Sequence, residues 1–168
     1  FSLTSSAPPV TSPLSLTAAL PSYRFRQNWA YDPAKQNKAE TLANIVEVLE
    51  TLQEFVDAGK IRHVGLSNES AWGTAQYLRI AEERGLPRMQ TIQNEYSLLC
   101  RLFDTDLAEL SHNEDVGLLA YSPQAVGLLT GKYQHGQMPE GSRRTPDDPQ
   151  GGRGHARGWQ AVAACLAR

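Results

Sequence analysis

The length, composition and charge of the chain exclude several classes of protein. Its 168 residues include 16 basic and 18 acidic side chains, a net charge of -2, which provides no electrostatic field for nucleic acid or an anionic membrane surface. No apolar run approaches the roughly 20 residues of a membrane span. The two cysteines, Cys100 and Cys165, lie far apart and indicate neither a disulfide framework nor a metal site, so we expect a reducing, cytoplasmic environment.

The first 21 residues are dominated by serine, threonine, proline, alanine and leucine and contain no charged side chain. Such a composition is typical of segments that do not fold alone, so we interpret residues 1–27 as a disordered or non-homologous arm. A serine-rich segment without acidic residues is also typical of a transit peptide, which leaves a plastid location as the alternative. The glycine-rich residues 146–168 are predicted to form a disordered tail that allows one short helix.

A long amphipathic helix is predicted over residues 40–58. Its apolar side chains follow the spacing of one helix face, with acidic and amide side chains between them. These apolar residues are Leu42, Ile45, Val46, Leu49, Leu52, Phe55 and Val56. Gly59 suits the left-handed position that closes a helix, and the β-branched and aliphatic residues of 61–66 favour a strand.

A second helix and strand follow the first pair. Ser70 is a typical helix cap, the apolar pattern predicts a helix over 71–84, and Gly85 is placed to close it. Residues 89–93 are short and mixed in character, and we interpret them as the second strand. This pair repeats the helix-to-strand order of the first.

The third pair completes an alternating series. A helix is predicted to begin at Asp104 or Thr105 and to end at 114, and an apolar strand is predicted over 116–121. Because no hairpin turn separates any two strands, we expect an α/β fold with three parallel strands joined by right-handed crossovers.

Polar or aromatic side chains occur where each predicted strand ends. The three pairs are Ser67 with Asn68, Gln93 with Asn94, and Tyr121 with Ser122. The carboxyl ends of parallel strands are where ligands bind, so these residues are candidates for one wall of a pocket. Taken singly, each has an ordinary structural role: Ser67 or Asn68 as a cap or turn residue, Gln93 as a buried amide, and Tyr121 as a core aromatic.

Two stretches carry a family resemblance. Residues 59–68 read G-K-I-R-H-V-G-L-S-N, and residues 119–133 read L-A-Y-S-P-Q-A-V-G-L-L-T-G-K-Y. Both resemble motifs of aldo-keto reductases, in the branch that includes potassium-channel β-subunits and Tas-like reductases. The resemblance implies a (β/α)8 TIM barrel, which typically needs about 250 residues. Residues 28–145 are therefore expected to form a partial barrel, from helix 4 to the loop after strand 7.

The resemblance also implies a binding site for NADP(H). In the family, residues matching Ser67, Asn68 and Gln93 hold the nicotinamide carboxamide, and the residue matching Tyr121 stacks on the nicotinamide ring. The matching loop wraps the cofactor pyrophosphate through Ser122, Pro123, Gln124, Ala125, Gly127 and Lys132. Gln124 departs from the family's leucine, and Lys132 by itself is typical of a solvated surface. Arg143 resembles an arginine that reaches cofactor phosphates, although loop arginines are equally often solvated.

The resemblance further implies hydride transfer between nicotinamide and an aldehyde or ketone. The family's catalytic Tyr, Lys, Asp and His have no counterpart here, since no Lys, Asp or His precedes Asn28. We therefore expect an NADP-dependent reductase in truncated form, with no catalytic residue and no metal ligand. The alternatives are a non-catalytic, cofactor-binding regulator resembling potassium-channel β-subunits, and an unrelated three-stranded α/β module.

The expected partners follow from the same interpretation. We expect a small carbonyl substrate as the ligand, and we expect no binding to nucleic acid or to a membrane. A partial barrel leaves edge strands unpaired, which allows self-association. It also leaves inward-facing side chains without the opposite half of the barrel, and we expect these to include Val64, Leu66, Ile92, Leu118 and Ala120.

Overall fold

The computed structural model describes residues 37–142. In chain order, the helices and strands are α1 (Lys38–Asp57), β1 (Val64–Ser67), α2 (Ala71–Arg84), β2 (Met89–Glu95), α3 (Leu107–Asn113) and β3 (Gly117–Tyr121). A single turn of 3-10 helix occurs at Leu102–Asp104, and short turns interrupted by residues with non-helical φ/ψ occur at Ala125–Thr130 and Gln134–Gly136. The predicted arm at 1–27, the predicted tail at 146–168 and Arg143 lie outside the described residues.

The three strands form one open sheet in the order β1-β2-β3. All three are parallel, as the sequence predicts. Between β1 and β2, Gly65 lies opposite Thr91, Leu66 opposite Ile92, and Ser67 opposite Gln93, after an irregularity in register at Val64. Since side chains alternate along a strand, the sheet has two distinct faces.

One face of the β1-β2 pair is apolar and buried. Val64, Leu66 and Ile92 are 3%, 2% and 0% exposed, so our expectation that they face an unfilled barrel interior is wrong. They belong to the same core as apolar side chains of the helices. The buried helix residues include Ile45, Leu49 and Leu52 of α1 and Tyr77, Ile80 and Ala81 of α2.

The opposite face of the pair carries small and polar side chains. Gly65 and Thr91 meet there so closely that a Cβ atom on Gly65 would lie 2.3 Å from the Thr91 hydroxyl oxygen. Ser67 and Gln93 follow on the same face. In β3, Leu118 is half-buried and Ala120 is exposed, which agrees with the expectation for these two.

The C-terminus of α1 explains why β1 begins later than predicted. Gly59, at φ 67°, donates its N–H to the Val56 carbonyl, and Lys60 donates to the Phe55 carbonyl, both at 2.9 Å. This pair of bonds is the Schellman arrangement, which satisfies the last carbonyls of a helix. Ile61 also donates to Phe55, at 3.4 Å. The chain from 59 to 61 thus completes the helix, and the strand begins only at Val64.

The third helix also differs from its prediction. Its cap is Asp106, whose carboxylate accepts the Leu107 N–H at 2.8 Å. Asp104 is already engaged, because it accepts the Tyr96 hydroxyl at 2.9 Å and a hydrogen bond from the Arg101 guanidinium. The predicted helix from Asp104 or Thr105 is therefore a 3-10 turn followed by α3, and Asp104 instead joins the loop after β2.

The described residues divide into two compact units. The first comprises residues 37–94 and 106–119 and holds the helices, β1 and most of the sheet. The second comprises residues 95–105 and 120–142 and holds the loops that follow β2 and β3. Among residues 37–142, no helix is both long enough and apolar enough to cross a membrane.

Candidate functional site

The first unit brings together three of the candidate residues. Ser67 ends β1 and is 7% exposed, and it lies opposite Gln93 of β2. Asn68 follows directly and donates its side-chain N–H to the Ser67 hydroxyl oxygen at 3.2 Å. The Asn68 backbone N–H donates to the Gln93 carbonyl at 3.0 Å. We call Ser67, Asn68 and Gln93 the strand-end group.

Asn68 adopts a conformation that is uncommon for a residue with a side chain. Its φ of 54° places it in the left-handed region, which Asn visits more readily than most residues because its short amide bonds locally. Residues held in this region occur often where a ligand or reaction must be positioned. The two hydrogen bonds to Ser67 and Gln93 hold Asn68 there.

Asn94 does not belong to the strand-end group, although the sequence pairs it with Gln93. Strand alternation turns the two side chains to opposite faces of the sheet. Asn94 is 1% exposed, and its Oδ1 atom has no hydrogen-bond partner among the described residues. Its place is in the buried layer with Ile92, so we remove it from the pocket wall proposed from the sequence.

In the second unit, Tyr121 ends β3 and is half-buried. Its carbonyl oxygen accepts the Tyr96 N–H at 3.2 Å. Burial raises the pKa of the Tyr121 hydroxyl, and the charges of Glu95 and Cys100 raise it further. The phenol is therefore held neutral, which suits an aromatic ring that stacks on a planar group.

Glu95 is a buried acid that sequence analysis missed. It is 4% exposed and lies near Cys100, whose pKa is raised by burial and then by the Glu95 charge. The sequence signal was its place in β2, two residues beyond Gln93, where an acid directly follows a run of strand residues. Glu95 and Cys100 thus form the electrostatic surroundings of the Tyr121 phenol.

The loop after Tyr121 has an unusual run of left-handed residues. Ser122, Ala125 and Val126 have φ values of 53°, 47° and 59°, and Gly127 follows at 92°. Val126 is β-branched, for which this region is a clear outlier. Hydrogen bonds close the loop on itself: Ala125 donates to the Ser122 carbonyl at 2.8 Å, and Gly127 donates to the Gln124 carbonyl at 2.9 Å. We call residues 122–132 the glycine loop.

Lys132 folds back over the glycine loop. A Cβ atom on Gly127 would lie 2.7 Å from Lys132 Cε and 3.1 Å from its ammonium nitrogen. The same nitrogen lies 5.1 Å from the centre of the Tyr133 ring, a cation–π distance. The φ of 92° is what favours glycine at 127, and the flexible end of the Lys132 side chain occupies the space beside it, so that the ammonium group lies against the loop.

The remaining candidate residues, Pro123, Gln124 and Ala125, belong to the glycine loop. Pro123 and Gln124 are exposed, and Ala125 is 4% exposed. A groove elsewhere in the first unit, between α2 and α3, contains none of the candidate residues. Among the residues that the structure describes, no group of three or more His, Cys, Asp or Glu side chains is arranged to hold a metal ion.

The sequence matches a family model and several known proteins. Residues 15–166 match the model of the aldo/keto reductase family. Over 102 residues the chain is 51% identical to Protein tas of Escherichia coli (strain K12), covering 61% of this chain and 30% of that protein.

Two more distant relatives agree with this match. The chain is 39% identical over 108 residues to an aldo-keto reductase of Babesia bovis, covering 62% of this chain and 38% of the relative. It is 34% identical over 101 residues to aflatoxin B1 aldehyde reductase member 2 of Rattus norvegicus, covering 58% and 28%. The chain thus spans roughly a third of the length of the curated relatives it matches.

Proposed function

Because the chain belongs to the aldo/keto reductase family of oxidoreductases, we propose that it forms the nicotinamide-binding part of an NADP(H)-dependent reductase. In such a reductase, bound nicotinamide cofactor would supply the hydride that reduces the carbonyl carbon of an aldehyde or ketone. One observation carries the proposal: Ser67 and Gln93 lie opposite each other near the carboxyl ends of two parallel strands, with Asn68 bonded to both.

The strand-end group fits a carboxamide. An amide ligand presents two N–H donors and one carbonyl acceptor, and it therefore needs both kinds of partner. The hydroxyl of Ser67 and the amides of Asn68 and Gln93 provide both. The sheet face that carries Ser67 and Gln93 is small and polar, with Gly65 and Thr91 next along the strands. A flat polar group can approach such a face without displacing an apolar side chain.

The glycine loop supports binding of phosphate. Gln124 has a φ of -94° and Ala125 one of 47°, a right-handed to left-handed pair of the kind found in anion-binding turns. The Ala125 N–H already donates to the Ser122 carbonyl, so the charge that attracts phosphate comes from Lys132. The Lys132 ammonium lies against the same loop at Gly127. We propose that the loop and Lys132 hold the cofactor pyrophosphate, with Arg143 as a further predicted phosphate contact.

Tyr121 is proposed to stack on the nicotinamide ring and to exclude water from one side of it. Its raised pKa keeps the phenol neutral, so the ring can approach a planar heterocycle without the cost of burying a charge. We do not assign Tyr121 as the proton donor. That role belongs in this family to a Tyr supported by Lys, Asp and His, and we propose that the chain binds cofactor without turning over substrate.

Two measurements on the purified 168-residue chain test this proposal. Titration with NADPH, followed by nicotinamide fluorescence, is expected to show saturable binding, with weaker binding of NADH as the matched control. Addition of 4-nitrobenzaldehyde is expected to leave the absorbance of NADPH unchanged. Absence of NADPH binding would overturn the cofactor assignment, whereas oxidation at the rate of a complete reductase would show that a proton donor is present.

A further inference from the structure

Glu69 is a buried acid that the proposed cofactor contacts do not use. It lies between Asn68 of the strand-end group and Ser70, the cap of α2, and is 4% exposed. Its Oε1 atom accepts the Ser70 N–H at 2.9 Å and the Ser70 hydroxyl at 3.3 Å. The Ser70 hydroxyl oxygen in turn accepts the Gly73 N–H at 3.0 Å. These bonds link the residue after Asn68 to the first turn of the helix.

The arrangement is a rearranged capping box. In the usual form, the cap residue accepts the N–H three residues ahead, and an acid or amide at that third position accepts the cap's own N–H. Here Ser70 and Gly73 make the first bond, but the acid that accepts the Ser70 N–H is Glu69, which precedes the cap. The third position is occupied by glycine instead of an acid.

The glycine at 73 follows from the position of the Glu69 side chain. A Cβ atom on Gly73 would lie 2.2 Å from Glu69 Oε1 and 2.4 Å from its Cδ atom. Glycine is a poor choice inside a helix for reasons of backbone entropy, so its presence at this position calls for a local cause. The cause is that the Glu69 carboxyl group fills the space that a side chain would occupy.

We infer that Glu69 is a positioning residue, which holds Asn68 in its left-handed conformation through the first turn of α2. Asn68 is tied on one side to Gln93 and Ser67. On its other side, the buried Glu69 side chain and its bonds to Ser70 fix the path of the backbone from Asn68 into α2. Without that second tie, Asn68 is free to relax towards a right-handed or extended conformation, and its N–H then leaves the Gln93 carbonyl. The role in cofactor binding rests on the proposed function, whereas the effect on Asn68 does not.

Hydrogen exchange at the Asn68 N–H tests the inference directly. We expect Glu69→Ala and Gly73→Ala each to speed exchange at Asn68 at least tenfold, and Glu69→Gln to preserve protection because its Oε1 still accepts the Ser70 N–H. Asn37→Ala is the matched control: it removes the side chain that caps α1 and should leave the exchange rate at Asn68 unchanged. Unchanged exchange at Asn68 in both Glu69→Ala and Gly73→Ala would overturn the inference.

A double-variant comparison separates the contact from ordinary helix stability. Ala is a better helix former than Gly, so Gly73→Ala should raise the melting temperature in the Glu69→Ala background and lower it in the native one. The same sign in both backgrounds would contradict the contact. NADPH titration completes the test, with weaker binding expected in Gly73→Ala than in the native chain. If the native chain binds no NADPH, the proposed function fails while exchange at Asn68 still decides the role of Glu69.

Discussion

Ser67 and Gln93 lie directly opposite each other in the parallel pairing of β1 and β2. The side chain of Ser67 is buried, that of Gln93 is half-buried, and alternation turns both to the same face of the sheet. This pairing makes them a single polar surface, although 25 residues of chain separate them in sequence.

Ser67→Ala and Gln93→Ala should each weaken NADPH binding. A hydrogen bond to a neutral partner contributes about 1 kcal/mol, so we expect a decrease in affinity of roughly fivefold for each variant, measured by fluorescence titration. Gln90→Ala is the control, because Gln90 lies on the same strand but is exposed and donates to the Arg88 carbonyl. Equal affinities for all three variants would remove the strand-end group from the site.

Lys132→Ala should weaken NADPH binding through loss of a positive charge beside the glycine loop. We expect a decrease of a few-fold that shrinks as salt is added, because screening weakens the attraction between the half-buried Lys132 ammonium and phosphate. Lys60→Ala is closely matched, since Lys60 also lies over an aromatic ring, that of Phe55 at 5.4 Å. If the two variants bind NADPH equally well, Lys132 is an ordinary solvated residue.

Gly127→Ala should destabilise the chain more than Gly136→Ala. Both glycines have positive φ, 92° and 75°, and a side chain there costs about 1–2 kcal/mol. Gly136 has open space around it, whereas φ at Gly127 lies further from the left-handed region that other residues reach, and a Cβ there would also push aside the flexible end of Lys132. Urea denaturation of the two variants measures the difference. A larger loss of unfolding free energy in Gly136→Ala would show that the Lys132 contact has no energetic weight.

The melting temperature should fall as the pH rises above about 9. The pKa values of Cys100 and Tyr121 are raised from their ordinary values of 9.0 and 10.0. The unfolded chain therefore releases these protons first, so the stabilising effect is fully present below those ordinary values and is lost as the pH rises through the raised ones. Cys100→Ala should delay the fall, and Tyr121→Phe should reduce its later part. An unchanged pH dependence in both variants would contradict the assignment.

Self-association through the sheet edges is proposed from the strand order. β1 and β3 are the outer strands of the three, and Leu119 of β3 is 38% exposed. A lysine on an edge strand hinders pairing with another chain, so Leu119→Lys should shift sedimentation towards monomer. Leu129→Lys is the control, because Leu129 is 39% exposed but lies in the glycine loop. An equal shift in both variants would point to general hydrophobic contact instead of edge pairing.

The sequence predicted the helices and strands most accurately where local signals agreed with the fold. The second helix matches its predicted bounds because Ser70 and Gly85 act as the cap and the closing residue. The first helix begins two residues early, at Lys38, because Asn37 accepts the N–H groups of Ala39 and Glu40. The errors arose where a polar side chain could serve either a helix or a loop. Asp104 is the example: it was expected to begin the third helix, but its carboxylate accepts hydrogen bonds from Tyr96 and Arg101 in the loop after β2.

The candidate site could be predicted only at the level of position along the chain. Strand ends located Ser67, Gln93 and Tyr121, and the motif located the glycine loop. Which face of a strand meets the helices depends on tertiary packing, which the short, mixed sequence of β2 does not define, and so Asn94 was grouped with Gln93 although it lies in the buried layer. Only the place of Glu95 at the end of a strand marked it in the sequence, because its burial and its proximity to Cys100 and Tyr121 are set by the folded chain.

The contact between Gly65 and Thr91 limits how this protein can be recombined with its relatives. Any side chain at 65 would meet the Thr91 hydroxyl at 2.3 Å and the Thr91 carbonyl at 2.9 Å. A chimera that takes β1 from a homologue with a larger residue there, and keeps this β2, would force the two strands apart. The crossover points in such chimeras should therefore fall before α1 or after β2, so that both strands are inherited from one parent.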